Sequence, residues 1–316
     1  MLKRIFEMAS PAGVDARLSV LIFHRVLPLV DPLFPNEMDA GQFDRICGWM
    51  KSWFNVLPLD SAVQRLKSAT LPARAACITF DDGYADNLHL AVPILRRHGL
   101  TATFFIATGY LNGGRMWNDT IVESVRGCTQ SVLDLSSLEL GGYPLDTVSD
   151  RRTAIASLIG QIKYCHVSER AEISETIAGL AGVTPPINLM MTDDQVLAMR
   201  TVGMQIGAHT VSHPIMAKLS DDSAAQEVSE SKDTLEQILG ERISLFAYPN
   251  GKPGEDYSPR NVEVIRQLGF DAAVSTKWGF TTIKDDCFQI RRFTPWDHGK
   301  LPYGIRLLSN LRRKEK

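Results

Sequence analysis

Two clusters of side chains in this sequence have the types and spacing of a reaction centre. The first is Asp81-Asp82, within Thr79-Phe80-Asp81-Asp82-Gly83-Tyr84. Adjacent carboxylates disfavour joint ionisation, and a bound cation relieves that cost. Neighbouring residues at a strand end diverge, so one carboxylate can ligate a metal while the other faces a substrate. The second cluster is His209-Thr210-Val211-Ser212-His213, with imidazoles at i and i+4. This spacing suits two ligands on one ion. Two histidines and one aspartate leave an open position for water and substrate, as catalytic zinc sites do. Activated water still needs a base, and the second aspartate can supply one. Zinc is the expected ion for these donors, with cobalt, manganese and iron as alternatives.

These residues need elements that bring them to one place. Short apolar runs at Leu18 to Phe23, Ala75 to Phe80 and Thr101 to Ala107 read as strands buried on both faces. Further strands are expected at Met204 to Ala208, Ile243 to Tyr248, Ala272 to Ser275 and Gln289 to Phe293. Helical patterns lie between them: Ala40 to Trp53, Leu88 to His98, Thr192 to Arg200, Asp221 to Leu239 and Arg260 to Leu268. Strand and helix alternate, which implies parallel pairing in an α/β barrel or open sheet. In such folds the site forms at the C-terminal strand edge, where both clusters fall. His24 follows the first strand and lies on the same edge. Between about Asp119 and Met191 the pattern turns helical and polar, as an insertion between barrel units.

TFDDG at Thr79 to Gly83 and HTVSH at His209 to His213 resemble the first two motifs of the polysaccharide deacetylases. These are also called NodB-homology or carbohydrate esterase family 4 enzymes. The resemblance runs from about Leu18 to Phe293. It implies an α/β fold, a distorted (β/α) barrel of NodB-homology type, here with the helical insertion. It implies a metal-dependent hydrolase that removes acetyl groups, foremost N-acetyl from N-acetylhexosamine, from a polysaccharide or its precursor. Carried over by position, Asp81 is the general base, and Asp82, His209 and His213 are the metal ligands. The usual third motif has Arg where this chain has Ala247, in Ala247-Tyr248-Pro249-Asn250-Gly251. The usual late histidine is also missing. In the poly-N-acetylglucosamine-type exopolysaccharide deacetylases the motif order is permuted, and by that resemblance His24 is the general acid.

Other residues are candidates for holding substrate. Tyr248 and the backbone N–H of Asn250 are placed to serve an oxyanion. Trp117 can stack on a sugar ring and Asn118 can hydrogen-bond to it. Arg291 or Arg292 can orient Asp81 or a substrate anion in place of the missing motif Arg, with Arg291 taken as the substrate contact. Two further readings use the same residues: a C–N hydrolase of small cyclic amides, and a non-catalytic sugar-binding relative.

The 316 residues carry a net charge of −2, which argues against nucleic acid as a partner. Five scattered cysteines with no CxxC pair argue against a cysteine zinc site or a disulfide framework. Glu7, Ser10 and Pro11 interrupt the start, so no signal peptide is expected there. No apolar run is long enough to span a membrane. The expected location is therefore cytoplasmic, with no stable membrane insertion. Association with polysaccharide-biosynthesis enzymes is an expectation of the resemblance. The deacetylase domain is expected over 16–298, followed by a frayed basic tail over 299–316.

Overall fold

The computed structural model describes residues 2–312. They divide into two compact units: residues 2–29, 38–109 and 192–312, and residues 30–37 with 110–191.

The first unit is built on parallel strands β1 (Ser19–Phe23), β2 (Asn55–Val56), β3 (Ala75–Phe80) and β4 (Thr103–Ile106). The second unit supplies β5 (Val132–Asp134) and β6 (Gly142–Pro144). The chain then returns to the first unit for β7 (Gln205–Ala208), β8 (Leu245–Ala247) and β9 (Ala272–Val274). The main sheet runs β1-β3-β4-β7-β8-β9, with β2 beside β3, and every pair in it is parallel. All six residues of β3 are buried, as the unbroken AACITF run requires of a strand covered on both faces.

The sheet is curled. Val20 of β1, Cys77 of β3, Phe105 of β4 and Leu245 of β8 share one buried cluster with Ala272 and Val274 of β9. Strands from opposite ends of the order meet there only if the sheet wraps around a common interior, as in a distorted barrel. The chain after β9 narrows the gap. The Ser275 N–H donates to the Ile290 carbonyl, and the Phe293 N–H donates to the Val20 carbonyl. The expected strand at Gln289 to Phe293 is reduced to a single bridge at Ile290. Threonine hydroxyls replace a regular ladder here: the Arg291 N–H donates to Thr281 Oγ1 at 3.1 Å and the Ile22 N–H to Thr294 Oγ1 at 2.8 Å.

Gly207 in β7 marks the tightest packing of the interior. A Cβ there would lie 2.6 Å from ring carbons of Phe105 and 2.9 Å from the Leu245 carbonyl oxygen. Gly207→Ala is expected to cost roughly 1–3 kcal/mol through overpacking. A thermal unfolding midpoint equal to that of the unaltered protein would contradict this packing.

The helices are α1 (Leu2–Ala9), α2 (Ala40–Trp53), α3 (Leu59–Lys67), α4 (Val92–His98), α5 (Trp117–Gly127), α6 (Val148–Ile162), α7 (Val167–Leu180), α8 (Asp193–Thr201), α9 (Asp221–Leu239), α10 (Pro259–Gln267) and α11 (Lys300–Leu311). Thr192 and Gln195 form the capping box at the start of α8. Asp221 and Asp222 occupy the first turn of α9, and Gly240 ends it in the left-handed conformation. The helix expected from Leu88 begins instead as a π-helical turn over Asn87–Ala91. Pro93, which has no N–H to donate, sits at the start of α4 where the regular ladder would continue.

The expected basic tail is largely helix. Tyr303, Leu307 and Leu311 of α11 are buried, and α11 packs against α1. The Leu residues read as tail are the apolar stripe of that helix. Residues 313–316 of the expected tail lie outside the described residues. No helix among the described residues is long and apolar enough to cross a membrane.

The second unit holds α5, α6, α7 and the antiparallel β5-β6 hairpin around its own core, which includes Ile121, Leu133, Leu145, Ile155, Leu158 and Ile177. The hairpin goes beyond the helical insertion expected. Its strands are short and mostly solvent-facing, so they carry no apolar period to read.

Candidate active site

Parallel pairing puts the C-terminal ends of β1, β3, β7 and β8 on one edge. His24 follows β1, Asp81 and Asp82 follow β3, His209 follows β7 and Tyr248 follows β8. Asp82, His209 and His213 converge there, with one donor atom from each lying within 4.8 Å of the others. Asp82 Oδ1 is 3.4 Å from His209 Nε2 and 3.5 Å from His213 Nε2. These gaps are long for hydrogen bonds. Asp82 Oδ1 is buried and has no hydrogen-bond partner among the described residues. An orphaned carboxylate oxygen facing two imidazole nitrogens fits a cation. Ligands about 2.0–2.2 Å from a tetrahedral zinc are separated by gaps of this size.

The tautomer fits as well. The buried His209 directs Nδ1 at the Ala247 carbonyl, 2.7 Å away. Nδ1 therefore donates to the carbonyl, and Nε2, which faces Asp82, is the nitrogen a cation would take. Burial opposes charge on His209, yet Asp82 and Asp81 outweigh it and raise its pKa. Burial pulls His213 down to about 4, leaving it neutral at physiological pH. Burial also works against ionisation of Asp82, but the two imidazoles prevail and hold its carboxyl below the usual carboxylate range.

The site loops are held in uncommon backbone conformations. Of eight non-glycine residues at positive φ among the described residues, four belong here: Asp82, Thr210, His213 and Asn250. Such conformations persist only where surrounding contacts enforce them. For the histidine loop the enforcing residue is Glu227 of α9, which no motif in the sequence marks. It accepts the Val211 and Ser212 N–H groups, both at 2.9 Å, and the Ser212 hydroxyl at 2.6 Å. Its signal was an acidic side chain beside Val228, at the margin of the inward stripe of α9. Glu227→Ala is expected to keep the fold and weaken divalent-metal affinity about 10–100-fold, the usual effect of losing a residue that orients a ligand. A metal titration with unchanged affinity would refute this role.

Asp81 is clamped by Arg292. Nη1 donates to Asp81 Oδ1 at 2.6 Å and Nη2 to Oδ2 at 2.7 Å. Arg292 is fully buried, and Nε donates to the Ser275 carbonyl at 3.0 Å. Burial raises the Asp81 pKa, but the guanidinium outweighs it and the carboxyl stays below its ordinary value. The ionised carboxylate retains lone pairs beyond those the guanidinium uses. The missing motif Arg is thus replaced from the far end of the chain, while Ala247 packs in the barrel interior.

Arg291, taken from sequence as the substrate contact, instead reaches Asp285 at 3.3 Å. Adjacent residues in extended chain point to opposite sides, so only one of the pair can meet Asp81. Tyr248 is likewise corrected. Its fully buried ring stacks on Tyr257 at 3.8 Å and its hydroxyl donates to the Phe288 carbonyl, which leaves no face for substrate. Asn250 lies in the turn after β8, its carbonyl accepting from Thr276 Oγ1 at 2.7 Å.

His24 is exposed, and its carbonyl accepts from Asn87 Nδ2 at 2.9 Å. Its place after β1 puts it on the strand edge that carries Asp81, Asp82 and His209. Asp86 fixes the loop that carries it, pairing with Arg25 at 2.8 Å and accepting the Val26 N–H at 3.1 Å. Trp117 and Asn118 open α5 in the second unit. There Trp117 packs against that unit's core with the Arg170 guanidinium 5.2 Å above its ring.

An acidic loop after β3 and a histidine pair after β7, on a curled parallel sheet, define an α/β half-barrel of NodB-homology type. The polysaccharide deacetylase family model matches residues 68–132 and 160–273. That is more than half of the chain, and the protein belongs to the polysaccharide deacetylase family. It is 17% identical over 279 residues to the putative polysaccharide deacetylase YxkH of Bacillus subtilis, covering 88% of this chain and 71% of that one. The fold is shared with the Streptococcus pyogenes deacetylase PplD, solved with acetate: TM-score 0.61, 19% identity, 94% of this chain and 98% of that one. It is also shared with IcaB from Ammonifex degensii: TM-score 0.60, 17% identity, 96% of this chain and 99% of that one.

Proposed function

We propose that this protein is a metal-dependent deacetylase that removes the acetyl group from an N-acetylated hexosamine of a polysaccharide or its precursor. The observation that carries this reading is the orphaned Asp82 Oδ1, 3.4 Å and 3.5 Å from two imidazole nitrogens and next in sequence to a clamped carboxylate. Asp82, His209 and His213 would hold a divalent cation, zinc by donor type. Such an ion supplies a Lewis acid for the acetyl carbonyl and for water.

The chain's own residues supply the proton transfers. Asp81 is ionised at neutral pH and takes the proton of the attacking water. The backbone N–H of Asn250 assists the developing oxyanion. His24 gives a proton to the departing nitrogen as the C–N bond breaks, so the products are acetate and the free amine. A proton donor suits N-acetyl over O-acetyl, because an amine cannot leave without one. We further propose action alongside polysaccharide-assembly enzymes in the cytoplasm.

Asp81→Asn tests the base directly. The variant is expected to retain its metal and lose about 10²–10⁴-fold in acetate release from N-acetylglucosamine oligomers. An Asn variant with full turnover removes Asp81 from the mechanism.

A further inference from the structure

The deacetylase reading uses one edge of the barrel and leaves an aromatic hollow on the first unit unexplained. This cavity of about 360 Å³ is lined by Trp278, Phe293, Trp296, Arg306 and Asn310, among others. Its volume falls in the roughly 300–1,000 Å³ range of small-molecule sites. Trp278 is 50% exposed and Trp296 is 56% exposed, although their ring centroids lie 5.8 Å apart. Two neighbouring indoles kept in solvent are costly unless something covers them. Phe293 forms the apolar floor, 5.3 Å from the Trp278 ring.

The polar groups of the hollow are built in. The Arg306 guanidinium lies 3.8 Å from the Trp296 ring centroid and pairs with Asp297, which fixes the indole from one side. Asn310 is only 6% exposed. Its Nδ2 donates to the Gly279 carbonyl at 2.9 Å, while its Oδ1 has no partner among the described residues.

The hollow is linked to the reaction centre through the backbone. Arg292, which clamps Asp81, immediately precedes Phe293. The Arg292 N–H donates to the Lys277 carbonyl, directly before Trp278. In this extended stretch Arg292 turns inward and Phe293 turns to the hollow.

We infer that this hollow is a sugar subsite, holding a pyranose ring of the substrate chain away from the acetyl group being cleaved. The inference rests on the deacetylase reading. Flat aromatic faces match the C–H face of a pyranose.

The test uses the full chain with two probes, N-acetylglucosamine and its β-linked pentamer. Trp278→Ala and Trp296→Ala should each weaken pentamer binding about tenfold, measured by titration in the Asp81→Asn background so that the probe stays intact. They should also lower the pentamer-to-monomer ratio of kcat/KM by a similar factor. Trp296→Phe, which keeps an aromatic face, should recover most of the binding. Pentamer affinity unchanged in both alanine variants overturns the subsite, as does saturable pentamer binding that is absent from the parent protein. If the alanine variants lose pentamer affinity but the parent releases no acetate, the subsite stands and the deacetylase reading falls.

Discussion

Asp82→Ala is expected to abolish tight binding of divalent metal and to lower acetate release about a thousandfold or more. The magnitude follows from the several kcal/mol that a positioned cation contributes to a charged transition state, at about 1.4 kcal/mol per factor of ten. The substitution removes the one carboxylate oxygen that faces both imidazoles. Two histidines alone make a poor site for a hard or borderline ion. The fold should survive, because Asp82 Oδ1 has no hydrogen-bond partner among the described residues to lose. Metal content per chain and acetate release, measured on the same preparation, decide the matter. Stoichiometric metal in the alanine variant would mean that the cation sits elsewhere.

Arg292→Met should be the most damaging substitution outside the metal ligands. It leaves Asp81 buried with no guanidinium, and breaking a buried pair from one side typically costs about 3–5 kcal/mol. The cost depends on pH in a definite direction. The folded-state pKa of Asp81 lies below its unfolded value because Arg292 overcomes burial. The pair therefore stabilises the fold fully above the unfolded carboxylate pKa of about 3.9, and the contribution is lost as pH falls through the folded value. In Arg292→Met burial is opposed only by the nearby histidines, so the Asp81 pKa should rise and the acidic limb of the pH–rate profile should move to higher pH. Thermal melts across pH and a pH–rate profile check both parts. Pairing Arg292→Met with Asp81→Leu should restore much of the stability and none of the activity. A single variant with the parent's melting point and acidic limb would show that the clamp is not needed.

Much of this site was legible in the residues themselves. TFDDG and HTVSH announce their chemistry through side-chain type and local spacing, and apolar runs before each motif place them at strand ends. Caps such as Thr192 with Gln195, and Gly240 after α9, are equally local. What escaped was non-local. Arg291 and Arg292 are equivalent as a pattern, and only the turn of the backbone against β1 and β9 selects Arg292 for Asp81. Tyr248 sits in a motif yet points into the core, because Tyr257, nine positions on, offers it a stacking partner. Glu227 has the pattern of one more charge on an amphipathic helix, and only the packing of α9 against the histidine loop gives it a role.

The sequence by itself determined the donor set, the alternation of strand and helix, and the edge on which the chemistry must lie. Each follows from side-chain chemistry or from a period within a few residues. The tertiary structure alone decided which arginine ionises the base, which residue steadies the second histidine, and that an aromatic hollow opens beside the clamp. Those outcomes depend on contacts between segments separated in sequence, 211 positions for Arg292 with Asp81 and 15 for Glu227 with Ser212. Such contacts are set by how the curled sheet closes on itself, and local spacing carries no record of that.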